Sequence, residues 1–227
     1  MAGLSHSLIF DLDGTLVDTA PDLLSATNAV LRSEGRQEVD PATLRHMVGL
    51  GARSLITQAM AATGAPAEEA RLPELVDRFV THYRAHIADE SMAFPGVEET
   101  LTGLQAEGAR LGVLTNKPQA LADLLLDALK LDRFFPVVYG AGRMSYVKPD
   151  ARIFHDVARE LGGGSGIMIG DSVTDVATAR AAGAPVILVS YGYTPEPAHT
   201  LGGDVVTEDF REVPGLARKL TKGTETR

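Results

Sequence analysis

Cysteine is missing from the 227 residues, and tryptophan with it. The first absence excludes disulfides, a thiolate nucleophile and any zinc site built on sulfur, and suits a reducing compartment. No run of about 18 apolar residues occurs, so no segment is expected to span a membrane. Basic residues are in deficit, 21 against 30 acidic ones, which leaves a formal net charge of −9. A nucleic-acid groove or an anionic membrane surface calls for the opposite sign. An anionic small molecule stays admissible where a metal or a few local cations supply positive field. A basic N-terminal segment is lacking and the first apolar run stops at Asp11, so no signal peptide is expected. These absences predict a soluble cytoplasmic protein, monomer or homodimer, with neither nucleic acid nor membrane as partner.

Against that background the first motif stands out. Leu8, Ile9 and Phe10 read as a buried strand running into Asp11-Leu12-Asp13-Gly14-Thr15. Asp11 and Asp13 are two apart, so in extended backbone their side chains share a side. Converging carboxylates repel unless a cation or a shared proton intervenes. Asp-x-Asp-Gly is also ordinary turn composition, but this one closes a strand, the edge where open α/β sheets bind ligands.

After Asp18 helical patterns dominate: from Pro21 to Gly35, from Asp40 to Gly49, from Gly51 to Ala62 and from about Glu68 to Ala88. Beyond Pro95-Gly96 the pattern alternates, with strands at 110–115, 137–139, 167–169, 186–189 and near 204–206 separated by helices. Apolar strands alternating with helices of about ten residues predict a parallel sheet covered on both faces. The expected fold is α/β, a doubly wound Rossmann-like parallel sheet with a helical cap domain inserted after the first strand. The core domain is expected over 1–15 and 96–227 and the cap over 16–95, joined by tethers at 15–20 and 91–96. The glycine-rich segment 162–166 precedes a strand, so it reads as a connector and not as a phosphate loop. His82 and His86 lack an acidic partner at metalloprotease spacing and are set aside as a metal pair.

Three further strand ends carry polar groups. Thr115-Asn116 precedes a helix expected from Pro118, a place for a phosphate-sized anion as well as for a plain helix cap. Lys148-Pro149-Asp150 opens another helix. Gly170-Asp171-Ser172 with Asp175 adds two carboxylates. Asp11, Asp13 and Asp171 at adjacent strand ends would form an oxygen-only cluster that suits Mg²⁺ as cofactor, with Lys148 offsetting the remaining charge.

These four motifs resemble those of haloacid-dehalogenase-superfamily phosphatases. The stretches Phe10–Asp22 and Gly49-Leu50-Gly51-Ala52-Arg53 are similar to the phosphoglycolate phosphatase branch. Departures are Leu50 where that branch usually has Asn, Gly140-Ala141-Gly142-Arg143 where an acidic residue usually follows the first glycine, and Ala151 in place of a second proline. The resemblance implies Asp11 as nucleophile and Asp13 as general acid and base, with Thr115, Asn116 and Lys148 on the phosphoryl group. It also implies a metal held by Asp11, the Asp13 backbone carbonyl and Asp171, with Asp175 behind it. The implied substrate is a small phosphorylated metabolite, first of all 2-phosphoglycolate, whose carboxylate Arg53 is expected to grip. Asp13 argues against a dehalogenase. A cap without lysine excludes a phosphonatase Schiff base, and Leu23 stands where sugar-phosphate mutases carry histidine. A phosphatase of sugar phosphates or pyrophosphate, or a silent binding module on the same fold, stays open.

Overall fold

The computed structural model describes residues 6–163 and 165–224, with side chains described as far as residue 221. Gly164 of the glycine-rich connector and the outermost residues of the expected core, 1–5 and 225–227, lie outside that range.

Six strands form the main sheet: β1 (Ser7–Phe10), β4 (Leu111–Pro118), β5 (Val137–Ala141), β6 (Gly166–Gly170), β7 (Val186–Val189) and β8 (Val205–Thr207). Their spatial order is β5-β4-β1-β6-β7-β8 and every pairing is parallel. The two-residue alternation of extended chain divides the core between the two faces. Leu8, Phe10, Val113, Ile167, Ile169 and Ile187 point into one apolar cluster, while Ile9, Leu114, Met168 and Leu188 point into the other. The first face is covered by α5 (Val97–Ala106), α6 (Gln119–Ala128) and α9 (Val213–Thr224), the second by α7 (Ala151–Glu160) and α8 (Val173–Ala181). Each buried Leu, Ile or Phe contributes roughly 1.5–3 kcal/mol, so a sheet packed on both faces is a rigid platform. Strand β1 lies where the chain order reverses, between β4 and β6. In open α/β sheets that point is the ligand crevice.

Between β1 and α5 the chain builds the cap from α1 (Ala20–Ser33), α2 (Pro41–Arg45), α3 (Ala52–Ala62) and α4 (Leu72–Ala85). Helix α1 buries Leu23, Ala26, Val30 and Leu31 at helical spacing, and α4 buries Leu72, Leu75, Phe79 and Tyr83 against it. The two tethers pair as a short antiparallel ribbon, β2 (Val17–Asp18) with β3 (Met92–Ala93). The buried Asp22 carboxylate clasps them, accepting from Ser91 N (2.8 Å), Ser91 Oγ (2.6 Å) and Glu90 N (3.1 Å). Tyr193 fastens the first tether to the core: its hydroxyl donates to Asp18 (2.6 Å) and accepts from Thr19 N (2.7 Å) and Ala20 N (3.0 Å).

Some boundaries differ from the sequence expectation. Helix α2 stops at Arg45 instead of reaching Gly49, and α4 starts at Leu72 instead of Glu68. Strand β4 runs on through Thr115 to Pro118, with its register to β5 slipping between Leu114 and Pro118. Helix α9 escaped the pattern because Pro214 and Gly215 open it. Among the described residues no helix is long and apolar enough to cross a membrane.

Candidate active site

Four strand ends converge where β1 meets its neighbours. Asp11 follows β1 directly and is buried, and Gly14 turns the chain away from it with φ +84°. Glycine is required there twice over: only glycine adopts that φ without strain, and a Cβ would lie 2.5 Å from Asp171 Oδ2. Asp11 Oδ1 accepts from the Leu12 amide (2.7 Å) and pairs with Lys148 Nζ (2.9 Å). Among the described residues no hydrogen bond reaches Asp11 Oδ2, which leaves one oxygen of a positioned carboxylate free to attack.

Lys148, reached through a cis Lys148–Pro149 peptide, is buried and also donates to Asp175 Oδ1 (2.7 Å). The other oxygen of Asp175 accepts from Ser172 Oγ (2.6 Å), Ser172 N (3.0 Å) and Asp171 N (3.2 Å), completing a capping box at the start of α8. Asp175 is thereby fully engaged as the partner of Lys148 and the anchor of the loop. Asp171 is more open. Thr15 Oγ1 donates to its Oδ1 (2.9 Å) and Tyr193 N to its Oδ2 (2.8 Å), leaving lone pairs on both oxygens. Gly192 lets the Tyr193 loop come this close, since a Cβ on it would lie 2.2 Å from Asp171 Cβ.

Asp11, Asp171 and Asp175 place carboxylate oxygens within 4.8 Å of one another, all buried. Burial first, then the neighbouring carboxylates, raises Asp171 to about 8 and Asp11 to about 7, the latter despite Lys148. Burial alone would pull Lys148 down, but Asp11 and Asp175 outweigh it and hold its ammonium well above the usual range. Three carboxylates around one lysine make a surplus of negative charge that a divalent cation would neutralise, and the all-oxygen donor set is that of a hard cation.

Thr115 is buried at this edge, its Oγ accepting from Lys117 N (3.2 Å) with its own proton still available to donate. Asn116 Nδ2 donates to the carbonyls of Gly49 and Lys148 (3.3 Å each), bridging cap loop and catalytic loop. Its Oδ1 is buried with no donor. Thr115 and Asn116 stand shortly ahead of a helix as expected, α6 beginning at Gln119, one residue later than read from the sequence. Between them the register of β4 to β5 shifts, from Leu114 to Pro118, and in this irregular stretch Lys117 faces the site.

The structure does not bring Arg53 to these groups. Its guanidinium is half exposed and pairs with Glu69 on the outside of the cap. Helix α3 presents Ala52 and Leu55 to the cavity, and each step along a helix turns about 100°, so Arg53 points elsewhere. Lys117 takes the inner position. Its Nζ donates to Asp13 Oδ1 (2.9 Å), Asp13 Oδ2 (3.3 Å) and the Tyr83 hydroxyl (2.7 Å). With Leu23, Leu55, Phe79 and Leu121 these groups enclose a cavity of about 40 Å³ that also touches Asp11 and Thr115. Sequence reasoning passed over Lys117 and Tyr83 because they meet across 34 positions of chain. The one available signal was that Lys117 is the first lysine in the sequence and falls within a motif loop.

Residues 8–189 match the model of the family described as haloacid dehalogenase-like hydrolase. A protein named phosphoglycolate phosphatase from Caulobacter vibrioides is 49% identical over 210 residues, covering 92% of this chain and 89% of its own length. Another of that name from Agrobacterium fabrum is 43% identical over 220 residues, covering 96% and 94%. Among solved structures, one described as a predicted phosphoglycolate phosphatase from Haemophilus somnus superposes with a TM-score of 0.87 at 28% identity, covering 92% of this chain and 96% of that one.

Proposed function

The chain belongs to the haloacid dehalogenase-like hydrolase family, and we propose that within it this protein hydrolyses 2-phosphoglycolate to glycolate and phosphate through a phosphorylated Asp11. The observation that carries this reading is the Asp11 carboxylate, fixed through Oδ1 by Lys148 and the Leu12 amide with Oδ2 free. Asp11 Oδ2 attacks phosphorus, forming an acyl phosphate as the bond from phosphorus to the leaving oxygen breaks. Asp13 supplies a proton to that oxygen. In the second step Asp13 takes a proton from water, whose oxygen attacks phosphorus, and the Asp11–phosphorus bond breaks to return the carboxylate. The Lys148 ammonium and the Thr115 hydroxyl, with Asn116 beside them, meet the phosphoryl oxygens and stabilise the charge that builds on them.

Mg²⁺ is the proposed cofactor, held by Asp11, Asp171 and the Asp13 backbone carbonyl, and when bound it supplies neutralisation of the phosphoryl charge. Asp175 stays behind this set as the partner of Lys148. The domain division proposed is the one read from sequence, a core over 1–15 and 96–227 and a cap over 16–95, since both tethers run through the β2–β3 ribbon. The substrate assignment draws on the two relatives above and on the cavity between cap and Asp11, whose polar lining includes Lys117 and Tyr83. The reaction is proposed to run in the cytoplasm, where a cysteine-free chain is at home.

Phosphate release tests the proposal, measured over a panel of 2-phosphoglycolate, hexose phosphates, pyrophosphate and an aryl phosphate with Mg²⁺ present. The highest kcat/KM is expected for 2-phosphoglycolate. A higher value for a neutral sugar phosphate would overturn the substrate, and no release from any of them would overturn the activity.

A further inference from the structure

We propose that Lys117 and Tyr83 form the receptor for the substrate's carboxylate, and that filling it frees Asp13 for proton transfer. The inference rests on the substrate reading above and deepens it. Both side chains are at least nine-tenths buried and face the cavity that touches Asp11. Apolar walls surround them, so an ammonium here is costly unless an anion answers it. In the structure that anion is Asp13, both of whose oxygens accept from Lys117 Nζ. Held this way, Asp13 keeps a lone pair on each oxygen but stays tied to Lys117, an ammonium for which a second anion in the cavity competes.

Tyr83 completes the receptor. Its hydroxyl accepts from Lys117, and burial with Asp13 and Asp22 nearby holds it far above its ordinary titration range. The phenol therefore keeps its proton, and no hydrogen bond among the described residues uses it. Lys117 and Tyr83 thus offer one charged donor and one neutral donor side by side, the complement of a carboxylate. In 2-phosphoglycolate a single methylene separates the ester oxygen from the carboxylate. With phosphorus at Asp11, the carboxylate enters this cavity and competes with Asp13 for the same ammonium. A phosphomonoester without an acidic group leaves Lys117 on Asp13. Selectivity is then exerted twice, in binding and in the release of the acid and base. Because Tyr83 sits on cap helix α4 and Lys117 on core strand β4, the receptor is complete only with the cap closed.

The test is calorimetric binding of 2-phosphoglycolate and of ethyl phosphate, which lacks the carboxylate, to full-length Asp11→Asn protein with Mg²⁺. The expected preference for 2-phosphoglycolate is about 30-fold, or ~2 kcal/mol at 1.4 kcal/mol per tenfold. Adding Lys117→Met, which keeps the side-chain length without the charge, should bring the two affinities within about threefold. Tyr83→Phe keeps the ring stacked on Phe79, should lower the preference by about fivefold, and decides the matter alone if the lysine variant does not fold. In steady-state assays on the Asp11 enzyme, Lys117→Met should cost more in kcat/KM for 2-phosphoglycolate than for an aryl phosphate. An unchanged preference in both variants, or equal losses for both ligands, would overturn the receptor. Loss of preference in Arg53→Lys but not in Lys117→Met would return the role to that arginine and overturn it too. A protein with Lys117 intact that binds both ligands equally would instead bring down the substrate reading itself.

Discussion

Asp11 and Asp171 carry opposite obligations: the chemistry needs them ionised, and their burial resists it. Burial holds them near 7 and 8 against an ordinary 3.8, so without metal the folded chain retains protons that the unfolded chain has released. Their contribution to stability is therefore present below about pH 4 and is lost as pH climbs through about 7 to 8. A divalent cation binds the ionised forms and should flatten that slope. In melting experiments, Mg²⁺ should raise Tm more at about pH 8 than at about pH 5. In chelator, Asp171→Asn should lose much of the wild-type decline. Equal Mg²⁺ shifts at both pH values would contradict the cluster as a cation site. Gly192 tests the same cluster from outside. Gly192→Ala drives a methyl against Asp171 and should raise half-saturating Mg²⁺, read by the same melting shift, by about tenfold or more. At this scale Asp11, Asp13, Asp171 and Lys148 were legible in the sequence because local motifs at strand ends announce them. Lys117, Tyr83 and Gly192 were not, since each draws its meaning from a partner far along the chain. Arg53 misled because a glycine-rich loop entering a helix tells where the helix begins but not which way its second residue points.

The elements repeat that division. The parallel strands and most of the helices could be read from apolar runs and their periods. What local pattern could not give was pairing: the β2–β3 ribbon has two residues a side, too few for a period, and the slip in β4 exists only relative to β5. Yet these are the features that aim the site. The tethers owe their order to Asp22 in the first turn of α1, whose three donors lie on Glu90 and Ser91, where the second tether begins. Asp22→Ala strands those donors and should cost about 2 kcal/mol or more, a fall in Tm of roughly 4–8 °C for a chain of this size. Hydrogen exchange should quicken at the Glu90 and Ser91 amides. An unaltered Tm with unaltered exchange would mean that the ribbon alone holds the tethers.

For the whole molecule, cap and core close over a site that each leaves incomplete. Contacts between the Asn116 amide and the Gly49 carbonyl, and between Lys117 and Tyr83, cross that boundary, while the chain passes between cap and core at two short tethers. Leu50 on the cap and Val173 on the core line one cleft with Asp11, Asp13 and Asp171, and both are about 60% exposed (61% and 63%). Exposed apolar side chains on facing lips fit a mouth that opens for substrate and shuts against water. The chain has no cysteine of its own, so Leu50→Cys with Val173→Cys admits a pair of spin labels directly. A broad distance distribution without ligand and a narrower, shorter one with a phosphate analogue are expected. One unchanged distribution would mean a fixed cap.

The proposed chemistry turns on Asp11 carrying the phosphoryl group between two half-reactions, and rapid-quench labelling reads that directly. Protein mixed with 2-phosphoglycolate labelled in its phosphate should, after acid quench in the first turnover, hold label that hydroxylamine removes, as an acyl phosphate requires. Peptide mapping should place it on the segment containing Asp11, and Asp11→Asn should show no label and lose more than about a thousandfold in turnover. Wild-type turnover with no trapped label, or label on any other residue, would contradict the account.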